Sequence, residues 1–405
     1  MLSSLLILAL PQGPGKIPGL VTDPWLQLTS NTSGMVVEFI THQNPKITID
    51  ANGLYVKKVE NMALKTEDME LQKFVIGGLK ANTTFTYTLV SGNVRVTYTG
   101  HTAKDEKAPA RLAIFGDSGS GLPEQKELAA KIHGYDPDLI VHCGDIVYPY
   151  GQEPGYLQYH FGVYGDTLSR TPMVAAAGNH DTTYRDYAQY PGGLAYYKFF
   201  NLPKNYYPWA RDLGNYSFNY GNAFWLILDS NTYNDWKDPR AQEWVKQELA
   251  KGAKMPWRFV AFHHAPWHSS TKHAEDIQMR ALDSLFKQAK VQIVFAGHVH
   301  NYQRARPDAN GPYYIVTGAA GAGLYDQDIA ADKTKWKPYT QTYAVGNSYT
   351  QFEYDQKSAV LKEVALDGSI VDTLKLTTGA APTAPTKTTK PTKKPAKSPS
   401  KKVKS

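Results

Sequence analysis

A chain of 405 residues, 42% hydrophobic and 20% charged, is long enough for two domains with a sizeable core. Its formal charge of +7 comes from the end of the chain: residues 377–405 hold eight lysines and no acid, and without them 36 basic residues face 37 acidic ones, which excludes a basic nucleic-acid face on the body. A single cysteine, Cys143, excludes both an intramolecular disulfide and a cysteine zinc site, and its place in an apolar run reads as a small buried hydrophobe.

The chain begins with an apolar run, Leu5–Leu10, followed by Pro and Gly. It is too short to span a bilayer, and residues 1–15 read as a signal peptide, which implies secretion or a vacuolar destination. No other segment reaches the roughly 20 apolar residues of a membrane helix, so no transmembrane anchor is expected. Sequons at Asn31, Asn82 and Asn215 permit glycosylation on that route.

Residues 20–104 show short alternating runs rather than a helical period: Gly34–Ile40, Phe74–Ile76, Thr84–Val90 and Arg95–Thr99. That spacing predicts a small antiparallel sandwich. The stretch Gly77–Tyr87 resembles the turn-and-tyrosine corner of fibronectin type III-like domains, with Phe85 in place of the first tyrosine. A polar linker, Lys104–Pro109, then marks a boundary. Residues 108–376 alternate strands with helices, predicted over Pro123–Tyr135, Arg240–Lys251 and Glu275–Lys290, which argues for an α/β domain. Arg185–Leu213 is aromatic and loop-like, and Tyr349–Leu376 reads as two or three strands about Asp367-Gly368. Residues 377–405, rich in Pro, Thr and Lys, are expected to be a disordered tail, with attachment to anionic surfaces as the alternative.

One device recurs through the second domain. Five apolar strands end in potential metal ligands: Asp117 after Arg111–Phe115, Asp145 and Tyr148 after Leu139–Val141, Asn179-His180-Asp181 after Pro172–Ala177, His263-His264 after Trp257–Phe262, and His298 and His300 after Val291–Gly297. Strand ends of this kind are expected to meet at one edge of one sheet, where open α/β folds place their ligands. One divalent ion takes about four to six N and O ligands. This set offers at least seven, which suits two ions about 3.5–4 Å apart sharing one carboxylate. Carboxylate, amide and phenol oxygens mixed with imidazole favour iron, manganese or zinc.

The motifs GDSG (116–119), GDIVY (144–148), GNHD (178–181), HAPW (264–267) and GHVH (297–300) stand in the order seen in metallophosphoesterases. The tyrosine after GD-x-x resembles the purple acid phosphatases, and the sandwich ahead resembles their plant-type architecture. The resemblance covers roughly residues 20–376 and implies a metallophosphoesterase β-sandwich flanked by helices. It implies Asp117, Tyr148 and His300 as ligands of iron(III), and Asn179, His298 and one paired histidine as ligands of a divalent ion (zinc, manganese or iron), with Asp145 bridging. The family's V-x-x-H spacing selects His263, whereas H-A-P-W selects His264. The unbroken four-residue match favours His264, with His263 as its rival. His180 and Asn179 correspond to substrate-contacting positions, and His273 to the acid that protonates the leaving group, with Asp181 replacing a glutamate common in plant members.

The resemblance therefore implies an acid phosphatase that acts on small phosphate monoesters through a metal-bound hydroxide. The same core would suit a phosphodiesterase or nucleotide pyrophosphatase, and a non-catalytic, metal-bearing cell-surface protein is the reading from another class. A homodimer is left open.

Overall fold

The computed structural model describes residues 17–43, 46–64, 68–182, 195–202 and 214–378. The expected signal peptide, nearly all of the tail and most of Arg185–Leu213 lie outside the described residues; within that last stretch Ala195–Phe199 is helical.

The first part of the chain forms two antiparallel sheets. Trp25–Leu28, Gly34–His42, Met69–Gly77 and Tyr55–Ala63 make one, in that order, and Thr48–Asp50, Thr84–Ser91 and Val94–His101 the other. Leu26, Val37, Phe39, Ile76, Phe85 and Tyr87 fill the space between them. Strand alternation sends Trp25, Ile40 and Leu71 the other way, into the core of the second part. There Trp25 stacks on Phe161 with ring centroids 4.1 Å apart, and Gln27 Nε2 donates to the Phe199 carbonyl at 2.7 Å. Of the three sequon asparagines, Asn31 and Asn82 are exposed, but Asn215 is 1% exposed, so only the first two are accessible in the folded chain.

The second part is a sandwich of two mixed sheets. One is ordered Met173–Ala175, Leu139–His142, Ala110–Phe115, Ser348–Tyr354, Ser358–Ala365 and Ile370–Thr377. The other is ordered Tyr216–Tyr220, Ala223–Ile227, Trp257–His264, Ile293–Gly297, Tyr313–Thr317, Tyr302–Ala305 and Thr340–Ala344. Trp225, Phe259, Phe295 and Phe352 interlock between them, with Phe259 and Phe352 centroids 4.9 Å apart. On the outer face of the second sheet, Val260, Phe262 and Val294 pack under Trp244, Leu249 and Phe286. The expected helix over Glu275–Lys290 is shorter: a 3-10 turn spans Gln278–Leu282, and α-helix runs only Asp283–Gln288. The carboxylate of Asp276 is drawn to two histidines instead of lying along a helix.

Between the two sheets lies Glu363, fully buried, with Oε2 accepting from Thr350 Oγ1 at 2.6 Å and Oε1 without a partner. Burial pushes its carboxyl up to about 8 from 4.5. A raised folded-state value means full stability below about pH 4.5 and a loss as pH climbs through 8. Glu363→Gln, which cannot ionise, is therefore expected to unfold several degrees higher than the parent at pH 8.5 and no higher at pH 4.5, since each tenfold change in the proton equilibrium is worth about 1.4 kcal/mol. An equal change in melting temperature at both pH values would contradict this.

Candidate metal centre

Asp117, Asp145 and Asn179 follow the parallel strands of the first sheet, while His263 closes a strand of the second and His298 follows another. The expectation of one edge of one sheet is thus corrected: the two sheets of the sandwich each bring part of the set to a shared end. Asp117, Asp145 and His298 sit at left-handed φ of 58°, 53° and 68°, which non-glycine residues adopt at a cost of roughly 1–3 kcal/mol each and chiefly at functional sites. The approach also needs glycine. A Cβ on Gly178 would lie 2.1 Å from Asp145 Oδ1, and one on Gly297 would lie 2.5 Å from Asp117 Oδ2.

The donors fall into two groups. In the first, Tyr148 Oη lies 3.1 Å from Asp117 Oδ1 and 3.2 Å from His300 Nε2. In the second, His263 Nε2 lies 3.1 Å from Asn179 Oδ1, 3.2 Å from His298 Nδ1 and 3.3 Å from Asp145 Oδ1. Asp145 lies between them, its Oδ1 also accepting from His180 N at 2.9 Å.

The outer nitrogens of the three histidines determine what the inner ones can do. His263 Nδ1 donates to the Cys143 carbonyl at 2.8 Å, His300 Nδ1 to the Gly323 carbonyl at 2.8 Å, and His298 Nε2 to the Asp276 carboxylate at 2.9 Å. A neutral imidazole with one N–H committed presents a lone pair on the other nitrogen. Three lone pairs, an amide oxygen and two carboxylates therefore converge with too few protons to share. Such a set requires positive charge. Burial would lower His263, but the Asp145 carboxylate beside it pushes it up to about 9, so in the bare chain a proton answers that demand. His298 is held below its ordinary value by burial, and burial followed by Asp117 drives the Tyr148 phenol well above its own.

His264 does not join the second group. Along Trp257–His264, Phe259 and Ala261 face the space between the sheets, and Val260 and Phe262 face the helices. The two-residue alternation carries His263 inward. His264 Nδ1 is bound to Ser230 Oγ at 2.8 Å, and the same oxygen accepts from the backbone N of His264 at 2.8 Å. The preference for His264 over His263 is corrected on that geometry.

The other two sequence-selected histidines stand at the mouth. His180 Nδ1 donates to the Pro149 carbonyl at 2.7 Å, with Nε2 3.9 Å from Asp145 Oδ2. The His273 ring lies 4.0 Å from that of His298, and its Nδ1 is 3.2 Å from Asp276 Oδ2. Asp181 partners neither. It is buried and accepts from Ile146 N, Gly178 N and Tyr156 Oη at 2.9–3.2 Å. Asp276 is the residue that sequence reasoning missed: one carboxylate backs His298 and touches His273, and its only prior signal was its place three residues after His273. Tyr325 was missed as well; its Oη accepts from His300 N at 3.0 Å and donates to the His298 carbonyl at 3.1 Å, bracing the turn that carries both.

Residues 110–302 match the family described as calcineurin-like phosphoesterase. The chain carries a calcineurin-like phosphoesterase domain. It resembles the purple acid phosphatases within that class: purple acid phosphatase 15 of Arabidopsis thaliana is 30% identical over 246 residues, 53% of this chain and 45% of the relative. A nucleotide pyrophosphatase/phosphodiesterase of Hordeum vulgare is 23% identical over 329 residues, 66% of this chain and 82% of the relative. Among solved structures, the purple acid phosphatase PPD1 from yellow lupin (Lupinus luteus) seeds superposes with a TM-score of 0.65 over 87% of this chain and 74% of its own, at 17% identity, a likeness of fold. The chain spans about half the length of the curated purple acid phosphatases it matches. Among the described residues of this calcineurin-like phosphoesterase chain, no helix is long and apolar enough to cross a membrane.

Proposed function

We propose that the chain is a binuclear-metal acid phosphatase that hydrolyses small phosphate monoesters. The observation that carries this reading is the convergence of three imidazole lone pairs with Asp117, Asp145, Asn179 and Tyr148 in two groups that meet at Asp145. In this reading Asp117, Tyr148 and His300 hold one ion, Asn179, His263 and His298 the other, and Asp145 bridges. A phenol held well above its ordinary value ionises only against a strongly charged cation, which supports iron(III) beside Tyr148 and a divalent ion (zinc, manganese or iron) opposite. Two ions there supply Lewis acidity for in-line attack of hydroxide on phosphorus and neutralise charge on the ester.

The chain's own groups take the remaining tasks. His180, fixed through Nδ1 to Pro149, directs its other nitrogen toward the bridging side and binds a phosphate oxygen, with the Asn179 amide beside it. His273, oriented by Asp276, gives its proton to the leaving alkoxide. Asp276 also fixes the ring of His298, as carboxylates do behind metal-bound imidazole.

A second reading, phosphodiester or pyrophosphate cleavage, is favoured by the likeness to the barley nucleotide pyrophosphatase/phosphodiesterase. Metal analysis, a visible spectrum and a panel of mono- and diesters across pH decide between them. The expected result is about two ions per chain, a tyrosinate–iron(III) band that Tyr148→Phe abolishes, and faster turnover of monoesters on the acid side of neutrality. Preference for diesters would replace this reading with the second. Full metal content without hydrolysis of any ester would mark a non-catalytic metal protein.

A further inference from the structure

The end of the sandwich opposite the metal centre has a concavity of its own, with a volume of about 820 Å³. Its floor is built from the amino ends of three parallel strands, at Pro256–Arg258, Val291-Gln292 and Gly311–Tyr313. The metal ligands lie at the carboxyl ends of two of these, so at about 3.3 Å per residue the strand Trp257–His264 separates the two places by roughly 20 Å. Gln292 joins the floor together, accepting from Arg258 N at 2.8 Å and donating to the Pro256 carbonyl at 3.3 Å.

Five cationic side chains line the concavity, Lys254, Arg258, Lys290, Arg306 and Lys375, and no carboxylate does. Among the described residues none of the five forms an ion pair. Arg258 is 9% exposed and donates only to carbonyls: Nη1 to Gly252, Ala253 and Met255 at 3.2–3.3 Å, and Nε to Lys290 at 3.4 Å. Arg306 stacks on Tyr313 at 4.2 Å, with its Nε buried and unbonded. The two acids next in sequence to the lining are engaged elsewhere, Asp308 by Lys287 and Asp355 by the amides of Lys357 and Ser358. The body of the chain is close to neutral, so this concentration of charge is local. Thr377 and Thr378 form part of its rim, and from there the chain runs on into a segment with eight lysines and no acid.

Like charges gathered without a counter-charge repel one another, and a multiply charged anion relieves all of them at once. The volume is that of a site for a drug-sized ligand, larger than one phosphate needs. We propose that this concavity is a second anion site that takes an oligophosphate chain. It lies too far from the metal centre to share a reacting phosphorus with it, so its role is binding. The proposal stands apart from the enzymatic reading.

Sodium tripolyphosphate titrated calorimetrically into the full, metal-loaded chain, with excess inorganic phosphate occupying the metal centre, tests it. Salt-sensitive binding is expected to persist and to weaken at least about tenfold when the exposed Lys254, Lys290 and Lys375 are all changed to Glu, with thermal unfolding unchanged. A chain ending at Thr378 is expected to retain it. Loss of binding with the tail alone, indifference to the three charge reversals, or no tripolyphosphate binding beyond the metal centre would overturn the proposal. Because heat rather than turnover is read, an inactive metal centre leaves the test intact.

Discussion

Asp145→Asn is expected to abolish the binuclear centre, leaving less than one tightly held ion per chain and lowering kcat at least about a thousandfold, or about 4 kcal/mol in the barrier. No other residue stands between both donor groups: its carboxylate lies 3.3 Å from His263 Nε2 and 3.9 Å from His180 Nε2, and it adds to the elevation of the Tyr148 phenol. The amide keeps the size, and the contact from His180 N still has an oxygen to reach. What is lost is the charge, and with it the reason for two cations to share one ligand. Metal analysis by mass spectrometry beside the kinetics checks this. An Asp145→Asn chain that keeps two ions and works within tenfold of the parent would remove Asp145 from the bridging position.

The second large effect separates two neighbours. His263→Ala is expected to release the divalent ion and cost at least about a hundredfold in kcat/KM, whereas His264→Ala retains both ions. His263 Nε2 touches three other donors of its group, while His264 is bound to Ser230 through Nδ1. The His264 ring is nevertheless 4.3 Å from that of His298, so its loss should loosen packing and lower activity by a smaller factor. If His264→Ala were the variant that lost metal, the alternation along that strand would be misread.

That assignment was within reach of the sequence. In FVAFHH, Phe259, Ala261 and His263 share one face of a strand, and following the two-residue period would have outweighed the match to H-A-P-W, which describes the loop beyond. The strand Tyr55–Ala63 was less legible. It lies at the edge of its sheet and carries Lys57, Lys58 and Glu60, charges that suit an edge and erase the apolar alternation by which strands are recognised. The stretch from Glu275 had a helical stripe, but periodicity cannot distinguish a helix from a 3-10 turn followed by a shorter one, and Asp276 is held by side chains that arrive from elsewhere in the chain.

What the sequence determined by itself was the chemistry of the donor set and its order along the chain: apolar strands followed by Asp, Tyr, Asn and His, an antiparallel sandwich ahead of them, and a lysine-rich end. Those follow from local pattern, because burial and strand propensity are written residue by residue. The tertiary structure decided which donors meet. The ligands come from two facing sheets, three of them on left-handed turns, and each imidazole takes its tautomer from a carbonyl or carboxylate distant in sequence, as His298 does from Asp276 and His263 from Cys143. Such pairings depend on how strands stack and register, and no spacing along a single chain encodes them.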